Sequence, residues 1–180
     1  SREGGAADPP PPHPRDGGFR PRDPRPNRTT AVAFIRRLLV DHDLPFPPHV
    51  ERAWRDFDDA MRPYTRRLER PLRLEPHKQD SIPLRLRPLH IDVAERGVDG
   101  KSRMYSLGQV TGADARVQAR VASQQVTARC LLEALQRIES EDLSLFSFVC
   151  HGATHRSFAC CLLLAALAYP MAVVLSLIHI

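Results

Sequence analysis

Hydrophobic residues recur at helical spacing between residues 29 and 70, and this pattern predicts two helices. The first spans residues 29–42, with Thr29 or Thr30 able to cap it, and its apolar side consists of Val32, Phe34, Ile35, Leu38 and Leu39. The second runs from about residue 49 to about residue 68, is interrupted by Pro63, and carries a stripe formed by Val50, Trp54, Phe57, Met61, Tyr64 and Leu68. We expect this helical extension, residues 29–70, to pack on the domain that follows. A coiled-coil face for a partner helix is the alternative.

Residues 1–28 contain few apolar residues and a proline cluster at positions 9–12 and 14. Such a segment cannot bury enough apolar surface to offset the entropy of ordering, so we predict a disordered tail. A polyproline ligand for an SH3-like protein is the alternative. Because the chain begins at Ser1 rather than Met, we expect it to be a piece of a longer protein.

The second half of the chain alternates between strand and helix patterns. It divides into a polar connector (residues 71–82), a strand (84–93), a glycine-containing loop (94–110), a helix (114–138) and a second strand (145–149). This order predicts a small α/β unit with parallel strands, in which a strand, an anion-binding loop and a helix follow one another. We place this domain at residues 84–175.

An uncharged apolar run extends from Phe158 to Ile178 and is long enough to cross a membrane. Pro170 divides it, however, and the alternative is a buried helix to about Tyr169 followed by a buried strand at residues 171–175. We favour the second interpretation, because the polar loop before the run needs a folded, aqueous setting. Residues 176–180 look like a translated adapter tail and are given no structural meaning.

The chain of 180 residues has a net charge of +5, carried mainly by arginine. This charge permits a phosphate-rich partner such as RNA, and a solvated basic surface is the alternative. Trp54 and Tyr64 lie among arginines and could stack on RNA bases, although their helical spacing favours the core. The four cysteines match neither a zinc site nor a disulfide framework, and no N-terminal segment has the apolar core of a signal peptide. We therefore expect an intracellular, cytoplasmic protein without metal or cofactor.

The segment from Cys150 to Ser157 has the pattern of a strand end, a turn and a helix start, which is the geometry of an anion site. Backbone N–H groups at the start of a helix lack partners, and Arg156 adds a guanidinium suited to phosphate. The Cys-x5-Arg-Ser spacing is also that of cysteine-dependent phosphatases, in which Cys150 would be the thiolate nucleophile. Such an enzyme needs a general acid, and the candidates are Asp92, Asp99 and Asp114.

Other interpretations of these residues stay open. Those phosphatases usually carry Gly three residues after the cysteine and His before it, where this chain has Ala153 and Val149. Cys150 can equally be a buried thiol at a strand end, and Asp114 can cap the long helix. A metal site built from Cys150, His151 and His155 is disfavoured, because adjacent residues of a turn rarely converge on one ion.

The segment from Cys150 to Ser157 is preceded, about forty residues upstream, by a second motif, Thr111-Gly112-x-Asp114-x-x-Val117-Gln118. Together the two motifs resemble the C-terminal domain of the RapZ family of RNase adapter proteins. The family's loop reads roughly Cys-Thr-Gly-Gly-x-His-Arg-Ser; His151 and Ala153 depart from it, and the matching residues are Cys150, Gly152, His155, Arg156 and Ser157. The family's Thr-Gly-x-Asp-x-x-Val-Gln signature, about forty residues upstream, is matched by Thr111, Gly112, Asp114, Val117 and Gln118. The resemblance covers about residues 84–170. Two motifs at matching separation are far more specific than either alone.

The resemblance implies a phosphate-binding pocket without established catalysis, linked in the family to an amino-sugar phosphate and a small RNA. The predicted ligand-binding residues are Cys150, Gly152, Thr154, His155, Arg156, Ser157, Thr111, Gly112 and Asp114. The family's P-loop motif does not occur in this sequence, so ATP or GTP binding is not implied. We also expect the second half of the family's C-terminal domain to be cut off after about residue 175. We therefore predict non-catalytic binding of a phosphorylated small molecule or RNA, with a phosphatase using Cys150, Arg156 and Asp114 as the alternative.

Overall fold

The computed structural model describes residues 29–100 and 110–176 and has an α/β architecture. Its five α-helices are α1 (Ala31–Asp41), α2 (Pro48–Met61), α3 (Ala115–Ala122), α4 (Gln125–Ser140) and α5 (Arg156–Ala168). Its four strands are β1 (Arg73–Lys78), β2 (His90–Asp92), β3 (Leu145–Cys150) and β4 (Val173–Val174), and short 3-10 helices span Thr65–Glu69 and Leu84–Leu86. The predicted α/β class is confirmed over these residues. The predicted disordered tail, most of the predicted loop at 94–110 and the last four residues of the adapter-like end lie outside the described residues.

The four strands form one parallel sheet in the order β2-β3-β1-β4. β1 and β3 lie side by side at its centre, with Leu74 opposite Phe146 and Lys78 opposite Cys150. Helices α4 and α5 contact each other as well as the sheet, so both lie on the same face of it. Leu74, Phe146 and Phe148 are fully buried in the core. Burying one such side chain stabilises a fold by about 2 kcal/mol.

The helical extension packs into the same hydrophobic core as the sheet. Helix α1 is capped by Thr30, whose side chain accepts a hydrogen bond from the N–H of Ala33, as the predicted cap requires. The stripe of α2 packs on α4, and Trp54 and Phe57 are fully buried. The indole N–H of Trp54 donates to the carbonyl of Ala122 over 3.0 Å, which joins α2 to the end of α3. The predicted packing role is therefore confirmed, and this stripe is not exposed for a coiled-coil partner.

The second predicted helix is shorter than its hydrophobic stripe. Helix α2 ends at Met61, just before Pro63, which lacks a backbone N–H and crowds the preceding turn. The stripe continues through the 3-10 helix Thr65–Glu69, in which Leu68 is only 9% exposed. The interruption at Pro63 is thus confirmed, and the predicted end near residue 68 is wrong for the α-helix.

The polar connector predicted for residues 71–82 is wrong, because β1 occupies its middle and is an inner strand of the sheet. The prediction failed because the strand contains Glu75 and His77, which are unusual in such a position. Glu75 is 2% exposed and forms hydrogen bonds with Arg73, Arg85 and His77. A buried carboxylate is tolerated where several donors surround it in this way.

Two other predicted elements are divided in the structure. The strand expected at residues 84–93 becomes the 3-10 helix Leu84–Leu86 and the three-residue strand β2. The helix expected at residues 114–138 is split into α3 and α4 at Ser123 and Gln124. Gln124 has an extended backbone, with φ of −107° and ψ of 130°, so the helical hydrogen bonds cannot continue through it.

The C-terminal apolar run forms a buried helix and a short edge strand. Helix α5 ends at Ala168, two residues before Pro170, as the division of the run predicted. The buried strand predicted at residues 171–175 is wrong in its burial, because β4 pairs only with β1 and Val173 is 60% exposed. Within the two described stretches of the chain, no helix is long and apolar enough to cross a membrane.

Candidate functional site

The predicted ligand loop lies at the carboxyl edge of the parallel sheet. Strand β3 ends at Cys150, helix α5 begins at Arg156, and residues 151–155 connect them. The strands on either side end at the same level, with Lys78 of β1 opposite Cys150 and Asp92 of β2 near it. Ligand sites of open parallel sheets form at this edge, outside the carboxyl ends of the strands.

The loop backbone turns sharply before α5. Ala153 has a φ of 60°, in the left-handed region that favours glycine, and is 3% exposed. His155 precedes the helix, and its side chain makes no capping hydrogen bond. Among the hydrogen bonds between described residues, none uses the backbone N–H groups of residues 152–154 or 156–158. The loop and the first turn of α5 therefore present a run of N–H donors, at the positive end of the helix dipole, that no described residue accepts from.

Cys150 and Ser157 connect the end of β3 to the first turn of α5. The Sγ of Cys150 donates a hydrogen bond to the Oγ of Ser157 over 3.1 Å. Cys150 is 2% exposed and Ser157 is fully buried. The thiol therefore lies beneath the loop surface, as the alternative interpretation of a buried thiol at a strand end expects.

The two sequence motifs meet at Gly112. Its N–H donates to the carbonyl of Thr154 over 2.7 Å, and its own carbonyl accepts from the side-chain amide of Gln118. A Cβ atom at Gly112 would lie 2.3 Å from the nitrogen of Ala159 and 2.5 Å from the oxygen of His155. The backbone of this glycine thus touches the backbone of α5 directly. The Thr-Gly-x-Asp motif and the cysteine loop, far apart in sequence, are therefore in direct contact.

Asp114 is engaged as the cap of α3. Its carboxylate accepts hydrogen bonds from the backbone N–H of Arg116 and from the Arg116 guanidinium. These hydrogen bonds lower the pKa of Asp114 to about 2. The carboxyl group is therefore ionised at neutral pH and cannot act there as a general acid. The neighbouring Thr111 accepts a hydrogen bond from the N–H of Ala113, which orders the turn before the helix.

The polar side chains at the start of α5 have different partners. Nη1 of Arg156 donates to the carbonyl oxygen of Val98 over 3.0 Å, in the segment that follows β2. The hydroxyl of Thr154 lies 3.2 Å from Nδ1 of His155. The structure therefore brings the predicted residues of the cysteine loop together, and it attaches the arginine to a part of the chain that the prediction did not include.

The other general-acid candidates already have partners. Asp92 accepts hydrogen bonds from the side-chain amide of Gln79 and from the backbone N–H of Glu95. Asp99 lies 3.7 Å from the guanidinium of Arg120. Asp92 is nevertheless paired with Val149, one residue before Cys150, and Asp99 follows Val98, whose carbonyl accepts the hydrogen bond from Arg156.

Two further interpretations from the sequence can be compared with the structure. Trp54 is fully buried with its indole N–H bonded, so it cannot stack on an RNA base, and its predicted place in the core is confirmed. Over the described residues, no group of three or more His, Cys, Asp or Glu side chains is arranged to hold a metal ion.

Two residues near the site were missed by the sequence reasoning, Val98 and Gly100. Gly100 was visible only as one of the glycines of a predicted loop, and a single loop glycine does not indicate which side chain lies against it. Ala153 was noted as a departure from the RapZ loop, but its left-handed backbone was not anticipated.

Comparison with protein-family models, curated proteins and solved structures found no match to this chain.

Proposed function

We propose that this chain contains a phosphate-binding domain of the RapZ C-terminal kind, which binds a phosphorylated small molecule at residues 150–157 without turnover. The observation that carries the proposal is a set of backbone N–H groups beside Arg156, at residues 152–154 and 156–158, that have no acceptor in the part of the chain that the structure describes. An anion placed there would accept hydrogen bonds from the loop and from the first turn of α5. It would also lie at the positive end of the helix dipole.

The left-handed residue in the loop supports this proposal. A backbone that places one left-handed residue among right-handed ones directs successive N–H groups toward one point, forming a concave anion site. Ala153 supplies the left-handed residue, with a φ of 60°. Arg156 adds a permanent positive charge and a planar set of donors that match phosphoryl oxygens.

Binding is favoured over phosphatase activity by two observations. The pKa of Asp114 is about 2, so this residue cannot protonate a leaving group near neutral pH. Cys150 is 2% exposed, and its thiol is hydrogen-bonded to Ser157, so in-line attack on a bound phosphoryl group would require the loop to open. The phosphatase alternative retains the support of its Cys-x5-Arg-Ser spacing and of that same thiol–hydroxyl pair.

A small ligand is favoured over RNA because the loop offers donors for one phosphoryl group. Recognition of RNA by a surface requires several basic or aromatic contacts along the strand. The aromatic side chain best suited by sequence, Trp54, is buried. We keep an intracellular location as part of the proposal, since all four cysteines are free thiols in the core.

The test is titration of the full chain with inorganic phosphate, an amino-sugar 6-phosphate and a short RNA. We expect Arg156→Ala to weaken phosphate and sugar-phosphate binding at least about tenfold, the effect of losing one charge-assisted contact. Arg37→Ala is the matched control, because Arg37 is 87% exposed on α1 and its loss removes the same charge elsewhere. Equal effects of the two variants would contradict the proposed site.

A phosphatase assay of the same proteins separates the alternatives. We expect no turnover by the wild type, and phosphate binding that survives Cys150→Ser. Turnover abolished by Cys150→Ser would refute non-catalytic binding. If the chain binds RNA in a salt-dependent way that Arg156→Ala does not change, and does not bind the sugar phosphate, the ligand of this protein is RNA and not a small phosphorylated molecule.

A further inference from the structure

The segment after β2 holds the side chain of Arg156. Nη1 of Arg156 donates to the carbonyl oxygen of Val98 over 3.0 Å. Val98 is 2% exposed, and its N–H donates to the carbonyl of Val93 over 2.9 Å. The N–H of Val93 donates in turn to the carbonyl of Val149, over 2.9 Å, one residue before Cys150. The carbonyl that holds the arginine is thus connected by backbone hydrogen bonds to the strand that carries the ligand loop.

Gly100 lies directly against the same arginine side chain. A Cβ atom at Gly100 would be 2.5 Å from Nε and 2.6 Å from Cδ of Arg156, whereas real Cβ atoms essentially never approach below 3.0 Å. Any side chain at this position would therefore displace the arginine. The contact is local, because a Cβ atom at Gly97, three residues earlier, would have no neighbour within 4 Å.

The hydrogen bond to Val98 orients the guanidinium without neutralising it. A carbonyl oxygen is an uncharged acceptor, so the positive charge of Arg156 is retained. A guanidinium has five N–H donors, and this bond uses one of them. A long side chain that is already ordered before its ligand arrives loses less entropy on binding, which increases affinity.

We infer that Gly100 is a positioning residue for Arg156, and that residues 98–100 order the guanidinium for a bound phosphoryl group. The inference rests on the proposed phosphate site and deepens it, because it adds the segment after β2 as a third part of the site. It predicts that a change at residue 100 acts on the ligand only through Arg156.

A double-mutant cycle with inorganic phosphate tests this dependence on the full chain. We expect Gly100→Ala to weaken phosphate binding about tenfold in the wild-type background and to have no further effect together with Arg156→Ala. A purely structural role of Gly100 would produce the same loss in both backgrounds and would overturn the inference. Wild-type affinity in Gly100→Ala would also overturn it.

Arginine side-chain NMR without ligand gives a second, independent readout. The guanidinium signal of Arg156 can be assigned by its loss in Arg156→Ala, and we expect it to show hindered rotation in the wild type. Gly100→Ala is expected to shift the signal and release the rotation. Glu95→Gln, an exposed change in the same segment, is expected to leave it unchanged.

The two readouts separate the possible failures. If the wild type binds no phosphate, the proposed function fails, and the NMR signal still decides whether Gly100 positions Arg156. A freely rotating guanidinium in the wild type would overturn the positioning role by itself, even if Gly100→Ala does not fold. An identical signal in the wild type and Gly100→Ala would do the same.

Discussion

Replacing Gly112 by alanine should separate the two halves of the candidate site. The added Cβ atom would lie 2.3 Å from the nitrogen of Ala159, 2.5 Å from the oxygen of His155 and 2.9 Å from the carbonyl carbon of Phe158. All three atoms belong to the backbone of α5 or its cap, so no side-chain rotation can relieve the overlap. Restoring an ordinary contact of 3.4 Å requires the turn and the helix to move apart by about 1.1 Å.

The expected loss of stability has two parts. Overpacking of this kind costs about 1–3 kcal/mol. The displacement also weakens the 2.7 Å hydrogen bond from Gly112 to the carbonyl of Thr154, and one such bond contributes about 1 kcal/mol. We therefore expect Gly112→Ala to lower the free energy of unfolding by about 2–4 kcal/mol. Urea denaturation followed by the fluorescence of Trp54, the chain's single tryptophan, measures this change.

Gly152→Ala is the matched control for this measurement. A Cβ atom there would meet its nearest neighbour, the hydroxyl of Thr154, at an ordinary 3.6 Å. Gly152→Ala should change the free energy of unfolding by no more than about 1 kcal/mol, and the change can be stabilising, because alanine reduces the entropy of the unfolded chain. If Gly112→Ala changes stability by less than Gly152→Ala does, the direct contact between the two motifs is refuted.

Three other changes test separate features. Ala153→Gly should raise the free energy of unfolding by up to about 1 kcal/mol in urea denaturation, because glycine removes the strain of a φ of 60°. Asp114→Asn keeps a side chain that can cap α3 but removes its charge. The wild type should have the higher melting temperature above pH 3.8, and this difference should disappear as the pH falls through about 2, as thermal melting at each pH would show. Glu75→Gln should lower the free energy of unfolding by about 2 kcal/mol in urea denaturation. This loss is smaller than that expected for a fully buried ion pair, because the two arginines that contact Glu75 are half-exposed.

The sequence predicted best where local patterns determine the structure. A short apolar run, a turn and a long apolar run were sufficient to place β3, the loop and α5, because each depends on residues close in the chain. The association of Gly112 with the cysteine loop was suggested by the spacing of two motifs. The contact itself is possible because Gly112 has no side chain. The sequence shows that the residue is glycine, but it does not show that the backbone of α5 packs against it.

Strand β1 shows why an inner strand can escape such patterns. Inner parallel strands are usually continuous apolar runs, and residues 73–78 include an arginine, a glutamate, a proline, a histidine and a lysine. Glu75 can be buried in this strand because its carboxylate forms hydrogen bonds with His77 and Arg85. Arg85 lies outside the strand, so its pairing with Glu75 is a property of the folded chain and leaves no periodic signal in the sequence.

The same limit applies to the arginine of the candidate site. Its position in a Cys-x5-Arg-Ser segment indicates what the guanidinium can bind, because donors and charge belong to the residue itself. Where the guanidinium points depends on the carbonyl of Val98 and on the missing side chain of Gly100, which precede it by more than fifty residues. A carbonyl is present at every position and so carries no sequence signal. The loop sequence therefore indicates which groups the candidate site offers a ligand, whereas the orientation of Arg156 depends on the packing of the segment after β2 against α5.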